Sequence, residues 1–414
     1  MKILMVLGRY LPYKNAGIEN YTHTLVEQLI KDKHDVQVAV VESESEKAYL
    51  YEGVWVIPLK NGYSSFNHLV NEEKFDICHL QEYSGANGIN LNWFLAAKEN
   101  CSKVFFTFHL PYLTCYKHDF RYNGVEDCNN FSSPSRCVKC IIATKLNFKN
   151  THGFNIRNFY ISLVTPVIER LLNIHHLRDR IDQRKLELNG LINICDYIFI
   201  YADWFKNILN DNGYNSSGIV KIPYVTNGSM KKDFADADSS GIKNKIVFVG
   251  RIEKQKGLLL LCKTMNLIKT NIELDVFGNV VDEAYNEKCK SEYDYNFKGT
   301  LPLKDLLNLL DQYDFLVMPS VFTEMYSMMI KDAFKNKLPV IASAAKGNAD
   351  VIKEGKNGFI FKYGNHKDLA RVIDAAYLLK RNGWRPEFET NNSAENDLQE
   401  ILSYYKTDSI KSLK

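Results

Sequence analysis

Phe315-Leu316-Val317-Met318-Pro319-Ser320 runs into Val321–Ile341, VFTEMYSMMIKDAFKNKLPVI, and the fold turns on how this stretch is read. Its first four residues form an unbroken apolar run, as a strand buried on both faces requires, and Pro319-Ser320 ends it. Glu324 stands just before a helix-periodic run that carries Asp332 eight residues on, and Pro339-Val340-Ile341 opens a second strand. Strand, helix and strand in this order make the repeating unit of a parallel sheet. With Glu324 at the helix N-terminus and Asp332 two turns along, both carboxylates are expected to face one polar ligand. The first-turn amides of such a helix favour a phosphate in the same place. A pair of solvated acids on an outer helix face has the same spacing.

The alternation continues on both sides of this stretch. Ile246–Gly250 reads as a strand, Gly257–Ile268 as a helix, Ile272–Gly278 and Tyr295–Gly299 as strands, and Leu303–Leu310 as a helix. Val340–Ser343 and a last helix, His366–Leu379, complete a parallel sheet covered on both faces. Gly250-Arg251 closes the first of these strands and Lys256-Gly257 opens its helix. Two cations at a strand's carboxyl end, beside a helix N-terminus, make an anion site.

The first half has the same grammar. Lys2–Leu7 is a strand, Gly8–Ala16 a loop, and Gly17 opens a helix with Ile18, Tyr21, Leu25, Val26 and Leu29 at helical spacing; Val36–Val41 is the next strand. Asp76–Gln81 and Val104–His109 are strands that finish in polar residues. Ligands of open α/β sheets collect at these carboxyl ends, so His109 either faces a cleft or bonds within its loop. Asp196–Tyr201 is a further strand, and the polar stretch Asn227–Lys245 reads as a linker. The expected fold class is therefore α/β, with two facing Rossmann-like domains and the active site in the cleft between them. The expected boundaries are 1–227 and 228–381, followed by a C-terminal segment, 382–414.

Composition narrows the function. Hydrophobic residues make up 45% of the 414 and charged residues 24%, with a net charge of +3, too small to imply nucleic acid as a partner. No stretch nears the roughly 18 consecutive apolar residues of a membrane span. The opening MKILMVLGRYLPY reads as a buried strand rather than a secretion signal, which places the protein in the cytoplasm.

Five of the nine cysteines are scattered; Cys115, Cys128, Cys137 and Cys140 cluster in a polar insertion near 110–145. The final pair is a C-x2-C, and four thiols in a reducing compartment suit a structural zinc, with His118 able to replace one ligand. Four reduced thiols in an ordered insertion are the alternative. Between Ile141 and Asn189, eight Lys/Arg stand against four acidic residues, with Phe154, Phe159, Ile161, Leu163 and Val164 interleaved. Such a surface can rest on anionic lipid, as a peripheral contact at the inner face of a membrane, or pack on its own domain.

With these residues in place, the chain resembles the family 4 retaining glycosyltransferases of the GT-B fold, from about residue 1 to 375. The resemblance is most specific in VGRIEKQKG (249–257) and PSVFTEMYSMMIKDAFKNKLPVIAS (319–343). VIKEGKNGFIF (351–361), IPYVTNG (222–228) and the cysteine-bearing insertion add to it. It implies an N-terminal acceptor domain, a C-terminal nucleotide-sugar domain, and a final segment that returns to the first domain. Arg251 and Lys256 would bind the donor diphosphate, next to Gly250. Glu324 would sit beside the donor sugar, with the Ser327 and Met328 amides at the phosphates. Asp332 would bind the donor ribose. Gly17 would lie against the diphosphate from the first domain, and His109 would face the transferred sugar or the acceptor. The implied reaction moves a sugar from a UDP- or GDP-linked donor to a glycan or lipid-linked acceptor, with no cofactor required. Three positions depart from the family pattern: Ala16-Gly17 replaces a paired glycine, Ser327 a glycine, and Asp332 a glutamate. A nucleotide-sugar epimerase of the same fold, or a non-catalytic glycosyltransferase-like subunit, would carry the same motifs.

Overall fold

Lys2–Leu7 (β1) is buried over nearly its whole length and sits in the middle of an eight-stranded sheet. It is followed by Gly17–Lys31 (α1), Asp35–Val40 (β2), and the hairpin of Tyr49–Tyr51 (β3) and Val54–Pro58 (β4). Tyr63–Glu72 (α2), Ile77–Leu80 (β5), Leu91–Asn100 (α3) and Lys103–Thr107 (β6) come next. The cysteine-bearing insertion supplies a two-stranded ribbon, Arg121–Tyr122 (β7) with Glu126–Asp127 (β8), and then Pro134–Lys145 (α4). His175–Ile194 (α5), Tyr197–Ile200 (β9), Asp203–Asp211 (α6) and Ile219–Lys221 (β10) bring the chain back to the main sheet. The computed structural model describes residues 1–85, 88–124, 126–131, 133–145, 175–225, 241–388 and 394–407. Most of the basic segment (146–174) and of the linker (226–240) therefore lie outside the described residues.

The strand order of this sheet is β10-β9-β6-β5-β1-β2-β4-β3, parallel except where β3 meets β4. From β1 the chain winds first towards β2 and then, after the hairpin, to the other side at β5. The loops leaving β1 and β5 therefore diverge and leave a crevice at their carboxyl ends.

The second sheet is built from Lys245–Val249 (β11), Glu273–Phe277 (β12), Asn296–Gly299 (β13), Phe315–Met318 (β14), Val340–Ser343 (β15) and Gly358–Phe361 (β16). Its helices are Leu258–Met265 (α7), Glu283–Glu292 (α8), Leu303–Leu309 (α9), Met328–Lys335 (α10) and His366–Arg381 (α11). The order β13-β12-β11-β14-β15-β16 is parallel throughout, the doubly wound arrangement of a dinucleotide-binding fold with its switch point between β11 and β14. Side chains alternate across this sheet as the pleat demands. Ile246 and Phe248 pack with Leu258, Leu261, Leu369 and Ile373 on one face. Val247 and Leu316 pack with Ile330 and Ala333 on the other.

The last described helix, Ala394–Lys406 (α12), belongs to the first sheet rather than to the second. Contacts divide the chain into Met1–Asn227 with Ala394–Lys414, and Gly228–Ser393. Tyr405 of α12 is buried in the first unit, where its hydroxyl is hydrogen-bonded to His79 Nδ1 at 2.6 Å. The other nitrogen of His79 meets Thr107 Oγ1 at 2.7 Å, and Lys103 Nζ donates to the Tyr405 carbonyl at 2.7 Å. Burial pushes the His79 pKa down to about 3, so the imidazole at the centre of this knot between β5, β6 and α12 is neutral.

Candidate active site

In the second unit the site grows out of the switch point. β11 ends at Gly250, and a 3-10 turn, Lys254–Lys256, precedes Gly257. Gly257 has φ +77, and a Cβ there would lie 2.0 Å from the Pro319 carbonyl oxygen. Only glycine lets the start of α7 come this close to the end of β14. The contact is reinforced by the Val321 amide, which donates to the Gln255 carbonyl at 2.8 Å. Lys256 and Glu324, 68 residues apart, meet as a result: Nζ stands 2.7 Å from Oε1, with both side chains largely buried. Ser320 Oγ donates to the same oxygen at 3.0 Å, and the Phe322 ring lies 5.0 Å from the ammonium. A buried pair bonded in this way is fixed in geometry as well as in charge.

Two more glycines bring backbones to the same place. A Cβ on Gly278 would be 1.9 Å from the Gly250 carbonyl oxygen, and one on Gly347 would be 1.9 Å from that of Glu324. The Glu324 amide donates to the Lys346 carbonyl at 3.1 Å, which ties its loop to the loop after β15. This corrects the helix start read from the sequence. α10 begins at Met328, with Ser327 as its N-cap, four residues after Glu324. Before it, residues 321–327 form a loop that contacts the loop after β15 at Glu324. Asp332 consequently lies little more than one turn into α10. It is not a solvated acid: the residue is 8% exposed, and burial raises its pKa to about 7 although Lys335 and Lys331 pull it down.

Arg251 takes a different position. Its side chain is 51% exposed and pairs with Glu253 at 2.8 Å, so of the two cations it is Lys256 that is joined to Glu324. Gly250 keeps close to Lys256, with a virtual Cβ 3.7 Å from Lys256 Cγ.

In the first unit, Gly17 is the first residue of α1, at the end of the loop that leaves β1. His109 follows β6, and its Nε2 meets Oε1 of the fully buried Gln81 at 3.0 Å. The Tyr21 and Tyr201 rings stand 5.1 Å and 5.5 Å from the imidazole. Burial lowers the His109 pKa to about 3, so the ring is neutral over the whole physiological range. With Nε2–H donated to Gln81, Nδ1 carries the lone pair and is an acceptor. Gln81 and Ser320 were not singled out from the sequence. Each closes or follows a strand, and that position was the only available signal.

The four cysteines share one small subdomain. Backbone amides of Phe120 and Asn123 donate to Cys115 Sγ and Cys140 Sγ at 3.3 and 3.1 Å. Cys128 and Cys137 bond instead to the Asn130 and Phe131 carbonyls, at 3.3 and 3.7 Å. Burial, with the other three thiols nearby, pushes Cys137 up to about 12. Sulfurs around one zinc would stand about 3.8 Å apart. Among the described residues, the group of three or more ligand side chains drawn within 4.8 Å is a different one, His23, Glu27 and Glu52. His118 adopts a left-handed backbone, φ +62, in the turn between Cys115 and the β7–β8 ribbon.

The architecture has close counterparts. Sucrose-phosphate synthase from Thermosynechococcus elongatus superposes with a TM-score of 0.64 at 14% identity, covering 98% of this chain and 94% of that one. Anabaena Alr3699/HepE, solved in complex with UDP and glucose, gives 0.60 at 12% identity over 97% and 98%. The fold is GT-B: two Rossmann-like α/β units in one chain. Residues 229–391, nearly the whole second unit, match the family "glycosyl transferases group 1". Protein CapJ of Staphylococcus aureus is 26% identical over 234 residues, which is 55% of each chain. The matches span between 26% and 55% of the length of the first curated relatives.

Proposed function

We propose that this protein is a retaining glycosyltransferase that moves a sugar from a UDP- or GDP-linked donor to a glycan or lipid-linked acceptor, in polysaccharide or glycoconjugate synthesis. The observation that carries the reading is the buried Lys256–Glu324 pair at the switch point of the second sheet, within the residues that match the group 1 glycosyl transferases. Ligands of doubly wound sheets bind at that point.

The chemical problem is departure of a nucleoside diphosphate from an anomeric carbon. Negative charge grows on the leaving oxygens while the sugar becomes oxocarbenium-like. Lys256 is already in place for the first, held by Glu324 and the Phe322 ring. Arg251, whose partner Glu253 is on its own loop, swings onto the same phosphates. The first-turn amides of α10, at Ser327 and Met328, add the positive end of a helix dipole. Lys256 acts by preorganised electrostatics, and with Arg251 brought in beside it the two cations carry the charge without a metal. Glu324 sits against the sugar, Asp332 takes the ribose, Gly250 and Gly17 line the diphosphate, and His109 accepts a hydroxyl of the transferred sugar or acceptor. Front-face attack, with the leaving phosphate as base, gives retention. A zinc at Cys115, Cys128, Cys137 and Cys140 would be structural; its support is the C-x2-C spacing of the last pair and the two amide-to-sulfur bonds, and binding would have to draw the four sulfurs closer together. A lipid-linked acceptor would be met from a peripheral position at the cytoplasmic face, for which the basic, apolar-interleaved segment 141–189 is the support.

The test is turnover of nucleotide sugars with a panel of glycan and lipid-linked acceptors. Lys256→Ala and Glu324→Gln are expected to abolish transfer with circular dichroism unchanged; undiminished turnover in both ends the proposal. Donor converted without any acceptor would point to epimerisation. Donor bound but never consumed would point to a non-catalytic subunit.

A further inference from the structure

We propose that His23, Glu27 and Glu52 form a divalent-metal site in the first unit, separate from the residues assigned to sugar transfer. One ligand atom from each lies within 4.8 Å of the others. His23 and Glu27 are one turn apart on α1 and so share a face. Glu52 reaches that face from the tip of the β3–β4 hairpin, where Glu52 and Gly53 both have positive φ, 46° and 83°. One imidazole and two carboxylates are a donor set for a borderline cation such as zinc.

Geometry and charge both favour an ion. His23 Nε2 lies 3.0 Å from Glu52 Oε2. This is a hydrogen-bonded ion-pair contact, which an ion bound between the two side chains would replace. The other nitrogen, Nδ1, is hydrogen-bonded to the Tyr10 hydroxyl at 2.8 Å, outside the cluster. Tyr10 is almost wholly buried, so this bond is shielded from solvent. The bond occupies Nδ1 and leaves Nε2 facing Glu52, which is how an outer partner orients a metal-binding imidazole. His23 itself is buried, whereas Glu52 is open to solvent and gives an ion a way in. Glu27 has no ion pair or hydrogen bond among the described residues. Two carboxylates against one imidazole leave the cluster negative in either protonation state of His23, and a dication removes that imbalance. Besides these groups, the tyrosines Tyr49 and Tyr51 lie within electrostatic reach of Tyr10, and neither brings positive charge. A bound ion would clamp the hairpin tip onto α1 and, through Tyr10, fix the loop that leaves β1.

Chelator-treated protein titrated with Co²⁺ and Zn²⁺ decides the matter. One ion per chain is expected, with a Kd below about 0.1 mM and a rise of several degrees in Tm at saturation. The cobalt spectrum should have nitrogen–oxygen character without a thiolate charge-transfer band. His23→Ala and Glu27→Gln should each lose the site, while Cys137→Ser/Cys140→Ser keeps it. Glu27→Gln removes a half-exposed charge and leaves the fold intact, so failure to fold cannot mimic the result. Binding weaker than that limit, binding unchanged in Glu27→Gln, or a thiolate spectrum that disappears only in the cysteine variant would each overturn the proposal.

Discussion

The two sheets use the same topological device for opposite chemistry. At the switch point of the second, a cation and a carboxylate meet in a nearly dry setting, Lys256 with Glu324 at 2.7 Å. Next to the switch point of the first, the polar groups are neutral: His109 on Gln81, among the rings of Tyr21 and Tyr201. Desolvation explains the difference. An ammonium survives burial because a carboxylate balances it, whereas a buried imidazole without an acidic partner gives up its proton. A crevice of the first kind suits phosphate, and one of the second suits hydroxyls and sugar faces. The fold prescribes where ligands gather and leaves the side chains to decide which ligands.

The largest expected effect breaks the charged side of that contrast. Lys256→Ala leaves Glu324 buried and unpaired, and should lower stability by about 3 kcal/mol and the rate of transfer by about 10²–10³ or more. Lys256→Met combined with Glu324→Leu should recover most of the stability in denaturant melts but none of the activity. If the double variant regains turnover, the pair is a structural strut and nothing more.

On the neutral side, His109→Phe keeps a ring among the tyrosines and removes the acceptor nitrogen. Transfer is expected to fall by about 10-fold to 100-fold, with nucleotide affinity, measured by calorimetry, unchanged. Because the His109 pKa lies near 3, its contribution should not vary between pH 5 and 8. A rate that follows a His109 titration in that window would refute the neutral reading.

The smallest effect is the most graded. Asp332 has a folded pKa of about 7, above the usual value near 4. Between these values the folded protein holds a proton that the unfolded chain has released, so stability falls as pH rises from about 4 to 7 and levels off above. About three pH units at about 1.4 kcal/mol each set a ceiling of about 4 kcal/mol on this loss. Asp332→Asn should flatten the profile and raise Tm most at pH 8. If Asp332 also takes the ribose, the same variant should weaken donor binding about 10-fold at pH 8, and hardly at all at pH 5. A donor affinity in wild type that is flat across pH 7 would detach Asp332 from the ribose.

Much of this was legible in the residues. Apolar runs at 246–249 and 315–318, with helical periodicity between them, announce a parallel sheet because a strand covered on both faces must be apolar throughout. The cations at 251 and 256 and the acid at 324 could be placed at strand ends for the same reason. Less visible was which of them would meet. Arg251 and Lys256 are equivalent on paper, yet one is bound to Glu324 and the other to Glu253. The start of α10 was placed too early because helical periodicity extends through Met325 and Tyr326. The loop that stands there instead is bonded at Glu324 to Lys346, 22 positions away.

The sequence by itself determined the class of fold, the two α/β units and the strand ends where a site had to be, since burial and periodicity are local properties. Only the tertiary structure decided that α12 closes the first sheet through Tyr405 and His79, and that Gly257, Gly278 and Gly347 let backbones approach at the second sheet's switch point. It also decided that His23, Glu27 and Glu52 converge. Each of these rests on contacts between segments far apart in the chain, whose separation no local pattern records.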